Sequence, residues 1–548
     1  MDLTFLGFSD VVLSLKTTYL ADFFALLIAF SSITVMFIAK NYKLTKSFYA
    51  LFILLISSLF LIVYANDYLL FFIGWEVMSV TTYFLLAFSL SKEALYKYIL
   101  FAMASALSLF VAILMLYSTN HSFLYSDARE SFELMGNIEG LVFLGLILFS
   151  IFVKLGTIGF HYWLVDAYEQ SSDIFTPYLS AVLSKMGVYA LIILVVHLRE
   201  PFYILGIIGV LSSIIATFKA INEDSMKRLL AYSSITQLGY IVSVLGVSDG
   251  MGGALYHSLI HTVVKLLLFI NVAGIIYVTG QKKLSELGGL IYKVPQSFVL
   301  LLIGIITLAG MPPLGGFSSK FMIYTSLLDA KYLLVLVGVM FASISAFLYV
   351  YKLIYGIYLG HPTNKKLESV KEIPLSFLIP QYLLAILLII FGAFPALVVP
   401  YFNNILQEFN LKTIVFSDIS TLITPHAEFN GLVVISAFGA VFIIVLLFFI
   451  MLRSKSKNVK NRFDIAYCGE IPDESSHLHY GFSIGKELKR VGFISVILKN
   501  SSSCFYDFLA KQLLYFSEIF RKIYSGDLSI NFNIAIGFLI VLLWWSLK

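Results

Sequence analysis

Seven side chains in this sequence can do chemistry in places where ionisable groups are costly. Glu76, Lys154, Lys185, His257, His261, Lys265 and Lys320 all lie within or beside stretches that are otherwise almost wholly apolar. An ionisable group at the centre of a bilayer costs about 2.5–3.5 kcal/mol on insertion scales, so each one needs a partner, water or a function. Glu76, in Phe72-Ile73-Gly74-Trp75-Glu76-Val77-Met78, sits deep enough in its span (about 12 Å at 1.5 Å per residue) that a glutamate side chain cannot reach the interface. His257, His261 and Lys265 recur at every fourth position, which puts all three on one helical face with Lys265 in mid-span. Such a face can relay protons, because an imidazole titrates near neutral pH and an ammonium withdrawn from water gives up its proton more readily. Two histidines at this spacing can also bind zinc, but neither a third ligand nor an adjacent general-base glutamate accompanies them. A packed pair of core histidines is the plainer alternative.

The remaining lysines divide by depth. Lys185, in Leu183-Ser184-Lys185-Met186-Gly187, is near the middle of its span, where snorkelling is difficult. Lys154 lies closer to a helix end but just before a glycine-broken region, and Lys320 follows a Pro-Pro break in Gly316-Phe317-Ser318-Ser319-Lys320, where an interfacial anchor is the competing reading. Lys227 and Arg228 open a span and read as topology signals. An opposite charge within about 4–6 Å of Lys154 would hold it protonated, and withdrawing that charge would release the proton. Motion of Glu76 relative to Lys154 is therefore a candidate switch for a coupled row of titrating groups.

The elements that must position these groups are membrane helices. Of 548 residues, 59% are hydrophobic and only 13% charged, a balance that a soluble fold cannot bury. Spans of about 20 apolar residues are expected near 20–39, 47–66, 68–90, 95–117, 139–158, 175–197, 202–219, 227–248, 253–278, 295–325, 332–358, 374–400, 431–452 and 529–546, too long and too continuous for barrel strands. The fold class is thus an all-α polytopic membrane protein with about 14 transmembrane helices. Two spans look broken, one at Gly156 and Gly159 before His161-Tyr162-Trp163, the other at Gly310-Met311-Pro312-Pro313-Leu314-Gly315-Gly316. Paired broken helices in two halves of a chain point to inverted repeats, here of five helices each. The expected segments are 1–46 with the first helix, 47–200 and 201–360 as two antiporter-like halves, 361–452 with additional helices, 453–528 as a cytoplasmic amphipathic segment and 529–548 as a last helix. In that amphipathic segment Phe505, Phe508, Leu509, Leu513, Phe516, Ile519, Phe520 and Ile523 recur at helical spacing, for a membrane surface, a partner protein or the bundle itself.

Lysines and arginines gather in alternate connectors: Lys40–Lys46, Lys92–Lys97, Lys219–Arg228, Lys282–Lys293, Lys352–Lys371 and Arg453–Arg462. Those connectors should face the cytoplasm, which puts the N-terminus outside. The net charge of +5 is small and gives no reason to expect nucleic acid. Cys468 and Cys504 fall in the segment assigned to the cytoplasm, too few for an iron–sulfur cluster or thiolate zinc site and not expected to form a disulfide there. No removable signal peptide is expected at the N-terminus.

These residues resemble a known family. Gly74-Trp75-Glu76-Val77-Met78-Ser79, Lys154 to Asp166 with His161-Tyr162-Trp163-Leu164-Val165-Asp166-Ala167, Lys227 to Ile235, His257-x-x-x-His261-x-x-x-Lys265 and Pro312-Pro313-Leu314-Gly315-Gly316-Phe317-Ser318-Ser319-Lys320 look like the antiporter-like subunits of respiratory complex I and group 4 membrane-bound hydrogenases. The resemblance covers residues 20 to 360. It implies that Glu76 and Lys154 form the charged pair of one half-channel, that Lys185 bridges to the centre, and that Lys265 and Lys320 serve a second half-channel. Tyr467-Cys468-Gly469, Gly526-Asp527-Leu528 and Leu179 look most like the large membrane subunit of hydrogenase-4 and formate hydrogenlyase complexes. Compared with the long complex I relatives, the first two helices and the long lateral helix are missing from the pattern. The implied function is proton translocation in the prokaryotic plasma membrane by a chain that holds no cofactor or metal itself. Its implied partners are lipid, other antiporter-like subunits and a quinone or hydrogenase module carrying iron–sulfur clusters with nickel–iron or flavin. A component of a multi-subunit Na⁺/H⁺ antiporter and a non-conducting membrane scaffold are the alternatives.

Overall fold

A computed structural model describes residues 2–8, 11–198, 202–359, 367, 369–451 and scattered positions from 490 to 518. The chain divides into two units, residues 1–487 and 488–548. The first begins with a hairpin of β1 (Asp2–Phe8) and β2 (Val11–Lys16), then α1 (Tyr19–Ile38), α2 (Lys46–Tyr64), α3 (Tyr68–Ala87), α4 (Lys92–Asn120) and a short α5 (Ala128–Leu134). α6 (Asn137–Leu155) and α7 (Tyr162–Gln170) form the first broken span. α8 (Thr176–Tyr178) runs through a π-turn, Leu179–Leu183, into α9 (Ser184–Leu198). α10 (Tyr203–Asn222), α11 (Met226–Leu245) and α12 (Met251–Thr279) follow, and α13 (Pro295–Ala309) with α14 (Gly315–Asp329) forms the second broken span. α15 (Leu333–Tyr358), α16 (Leu375–Ala393), the short α17 (Val399–Glu408), a three-stranded sheet of β3 (Val415–Asp418), β4 (Thr421–Ile423) and β5 (Glu428–Asn430), and α18 (Gly431–Met451) complete it.

Among the described residues, eleven helices are long and apolar enough to cross a membrane, and α11 and the α13–α14 pair sit where the sequence places two further crossings. α11 carries too many hydroxyls to read as oil, but protein surrounds it: all of its residues except Arg228 are buried. α8–α9 and α12 are likewise buried on every face, whereas α18 is exposed nearly all round, as an apolar helix facing lipid should be. Helix starts are fixed locally. Thr18, Thr45, Asp67, Ser91 and Ser225 each accept a hydrogen bond from the backbone three residues on, which satisfies a donor that lipid cannot.

The small sheets, α5 and α17 lie in the N-terminal segment and the connectors, for which the sequence predicts no elements; among the described residues the crossings are helical apart from the two breaks. Ion pairs and bridges sort the connectors into two ends. Lys97 and Arg228 pair with Asp166, Ser225 bridges Lys283, and Arg228 also pairs with Glu169 and Glu223, so 88–97, 166–175, 223–228 and 280–294 share one end, here the basic end. Leu15 bridges Ala65, Asp67 bridges Leu124, and Lys412 and His426 pair with Asp249 and Asp329 at the other. That sorting matches the alternation read from the lysines. It also makes α6 and α13 enter from opposite ends, the relation required of broken helices in inverted repeats.

In the second unit the described positions are helical at 506–508, 510–515 and 517–518, with Phe508, Leu513, Leu514 and Tyr515 exposed. Cys468, Cys504, the Tyr467-Cys468-Gly469 run and the expected span 529–546 lie outside the described residues.

Candidate functional site: a buried row of ammonium and imidazole groups

Both helix breaks are made the same way. Gly156 (φ 64°) and Gly310 (φ 74°) cap α6 and α13 in the left-handed conformation, which ends each helix inside the bundle and leaves carbonyls of its last turn without helical donors. At the first break Trp163 Nε1 donates to the Val153 carbonyl at 2.9 Å. At the second the donor is an ammonium: Lys320 Nζ donates to the Leu308 and Ala309 carbonyls (3.1 and 2.9 Å) and to Ser343 Oγ (2.7 Å). The negative end of α13 thus faces the buried Lys320 amino group and favours its charged form. Lys320 is 2% exposed, which rules out the interfacial-anchor reading.

Lys185 Nζ lies 2.8 Å from His261 Nδ1 and 3.0 Å from the Ser180 carbonyl. One turn along α12, the His257 ring is stacked parallel to that of His261 (centroids 6.2 Å apart), and His257 Nδ1 lies 3.0 Å from Ser319 Oγ. Ser319 is the neighbour of Lys320, and the Tyr240 ring lies between them, 6.0 Å from His257 and 5.3 Å from Lys320 Nζ. Lys185, His261, His257 and Lys320 therefore form one uninterrupted neighbourhood. The tautomers follow from the network. Ser319 donates to the Gly316 carbonyl (3.1 Å), so His257 carries its proton on Nδ1 and offers Nε2 as an acceptor. While Lys185 is an ammonium it can only donate, and His261 then accepts at Nδ1 and carries its proton on Nε2. Both Nε2 atoms are buried without a protein partner.

Lys265, fully buried on the same helix face, donates to Ser233 Oγ (2.6 Å) and the Leu230 carbonyl (3.0 Å) on α11. Lys154, also buried, donates to Ser79 Oγ (2.9 Å) and is flanked by the Trp75 and Tyr98 rings. That is a departure from the expected pair. Glu76 is half-buried one turn from Ser79, within coulombic range of Lys154 but without an ion pair to it, and its Oε1 has no hydrogen-bond partner. The lysine is parked on a hydroxyl with the carboxylate nearby. No three of His, Cys, Asp or Glu gather to hold a metal ion among the described residues.

Sequence reasoning missed the hydroxyls. Ser79, Ser233, Ser319 and Ser343 each receive or face a row member, and their signal is a serine beside or one turn from a buried charge in an apolar span. It also did not anticipate that Lys227, read as a topology signal, is 4% exposed, donates to the Ser171 carbonyl at 2.8 Å and pairs with Asp173.

A multi-pass helical bundle with lysines and histidines buried inside it is the class of protein these features define. A family model described as "NADH:quinone oxidoreductase/Mrp antiporter, TM" matches residues 65–346, and the chain belongs to that family. It is 26% identical over 429 residues to a Na⁺/H⁺ antiporter subunit of Bacillus subtilis, covering 72% of this chain and 53% of that protein, so it spans about half the length of that curated relative. It is 30% identical to the chloroplastic NAD(P)H-quinone oxidoreductase subunit 2 of Mesostigma viride, covering 67% of this chain and 76% of that one. Among solved structures, a chain of the membrane-bound sulfane sulfur reductase, an archaeal respiratory membrane complex, superposes with a TM-score of 0.87 at 26% identity, covering 99% of this chain and 91% of that chain.

Proposed function

We propose that this chain is a proton-translocating subunit of a redox-driven membrane complex of the complex I or membrane-bound hydrogenase type. The observation that supports it is the Lys185–His261–His257–Ser319 sequence of contacts, in which each group can both take and give a proton. The row is made of ammonium and imidazole groups with Glu76 as its one carboxylate. A sodium ion needs a shell of oxygen ligands and is repelled by lysines, whereas a proton can be handed along them. The chain is assigned no redox centre; iron–sulfur clusters and nickel–iron or flavin belong to partner subunits. By the distribution of lysines the basic end faces the cytoplasm of a prokaryotic cell, with the N-terminus outside. The second reading, a component of a multi-subunit Na⁺/H⁺ antiporter, is favoured by the likeness to the Bacillus subtilis antiporter protein.

The test is reconstitution of the purified complex, with its partners identified, into sealed vesicles. Redox-driven acidification that persists without sodium is the expected result. Proton movement that occurs only in exchange for sodium, in a complex without redox subunits, supports the second reading and overturns the first.

A further inference from the structure

The row needs an aqueous connection at each end of the bundle, and one set of buried polar groups at the basic end is not used by the reading above. Its outermost member is Asp173, in the connector between α7 and α8, with a side chain 19% exposed to solvent. It pairs with the buried ammonium of Lys227, which also donates to the Ser171 carbonyl at 2.8 Å. Ser171 Oγ lies 2.6 Å from Thr176 Oγ1. From Thr176 the next serines along α8, the π-turn and α9 are Ser180 and Ser184, at every fourth position, and Ser184 Oγ donates to the Ser180 backbone carbonyl at 2.7 Å. Lys185 Nζ binds that same Ser180 carbonyl and lies 3.5 Å from Ser184 Oγ. Ser171, Thr176, Ser180 and Ser184 are each no more than 3% exposed. Four buried hydroxyls thus climb from a solvent-touched ion pair to the lysine at the head of the histidine chain. A branch leaves at Ser180, whose Oγ is 2.9 Å from Ser234 Oγ, beside the Ser233 that holds Lys265.

We propose that Asp173, Lys227 and the Ser171–Thr176–Ser180–Ser184 hydroxyl ladder form the proton-uptake route from the basic end to Lys185. The inference rests on the proton reading of the row. A proton from solvent lands on the Asp173 carboxylate. Lys227 gives its own proton inward to the Ser171–Thr176 hydroxyl pair and is reprotonated by Asp173. Each hydroxyl takes one proton and passes one on, with water completing the steps from Lys227 to Ser171, from Thr176 to Ser180 and from Ser180 to Ser184, where the direct contacts run to backbone carbonyls. Lys185 accepts at the top after handing its proton to His261. Charge returns to its starting state at every member of the ladder. A merely structural ion pair at this site would have no need of a hydroxyl row leading away from it.

The experiment uses the assembled complex in vesicles and compares Asp173→Asn, Lys227→Ala and Thr176→Val with Lys265→Ala. Thr176→Val removes one hydroxyl at nearly constant volume, so it tests the route even where Lys227→Ala fails to assemble. The expected result is loss of driven proton uptake on the order of 10²-fold in Asp173→Asn, the contribution typical of a positioned proton donor. A smaller loss is expected in Thr176→Val. Millimolar azide, as a diffusible weak acid, restores uptake in Asp173→Asn but not in Lys265→Ala, and a purely structural role would show no such rescue. Wild-type uptake in Asp173→Asn and Thr176→Val with Lys265→Ala dead overturns the uptake route alone. Wild-type uptake in Lys265→Ala overturns the row itself.

Discussion

Replacing Lys265 with methionine is expected to lower driven proton translocation on the order of 10²-fold while the complex still assembles. Methionine keeps most of the volume that the lysine stem fills between α11 and α12, so no large cavity opens. What is lost is the ammonium and its two hydrogen bonds; Ser233 Oγ still donates to the Leu230 carbonyl (2.8 Å), which also accepts from Ser234 Oγ (2.9 Å). Each lost hydrogen bond costs about 0.5–1.5 kcal/mol, and removal of a buried charge offsets part of that. A bundle with the packing seen on α11 and α12 should absorb the difference. The measurement is acidification of vesicles against the rate of the driving reaction, with the composition of the complex checked on the same sample. A scaffold role makes the opposite forecast: the variant fails to assemble, and whatever complex does form pumps normally.

The second large effect is expected at the other end of the row. Lys154→Met should reduce translocation to a similar degree, and the informative comparison is between its two neighbours. If the ammonium is parked on Ser79 and moved by the charge of Glu76, Glu76→Gln should abolish coupling while Ser79→Ala, which removes only the resting hydroxyl, should cost less than about tenfold, the effect of one ordinary hydrogen bond. If Ser79→Ala is as damaging as Glu76→Gln, the hydroxyl carries the proton and the carboxylate is not a switch. Steady-state pumping in the three variants, normalised to assembled complex, separates the two.

Among the described residues, the crossings and the burial of Lys154, Lys185, His257, His261, Lys265 and Lys320 were legible in the sequence because the cost of burying a charge in oil is so large that few residues can bear it without a reason. Glu76, Lys185 and Lys265 stand out by depth alone, and His257, His261 and Lys265 by their common face. Partner choice was not legible. Nothing in the spacing says that Lys154 prefers Ser79 to Glu76, since both project from α3 within reach and the decision belongs to helix packing. Lys227 reads as a topology signal because lysines near helix starts usually are one, and only the fold of the α7–α8 connector brings Asp173 and Ser171 over it. The breaks at Gly156 and Gly310 were visible as glycine and proline, but not that Lys320 would turn back to satisfy the carbonyls freed by the second. The small sheets of the first unit were missed because the N-terminal segment and the connectors carry no periodic signal.

What distinguishes a conduit from a set of buried structural charges is water. The Nε2 atoms of His261 and His257 are both buried and without a protein partner, and a buried polar atom of that kind normally holds ordered water. The decisive measurement is a density map of the assembled complex fine enough to show individual waters. Water bound at both nitrogens and continuing toward Lys320 on one side and Lys265 on the other is the expected result. Aliphatic side chains closed around those nitrogens, with no water between the lysines, would contradict proton transfer along this row.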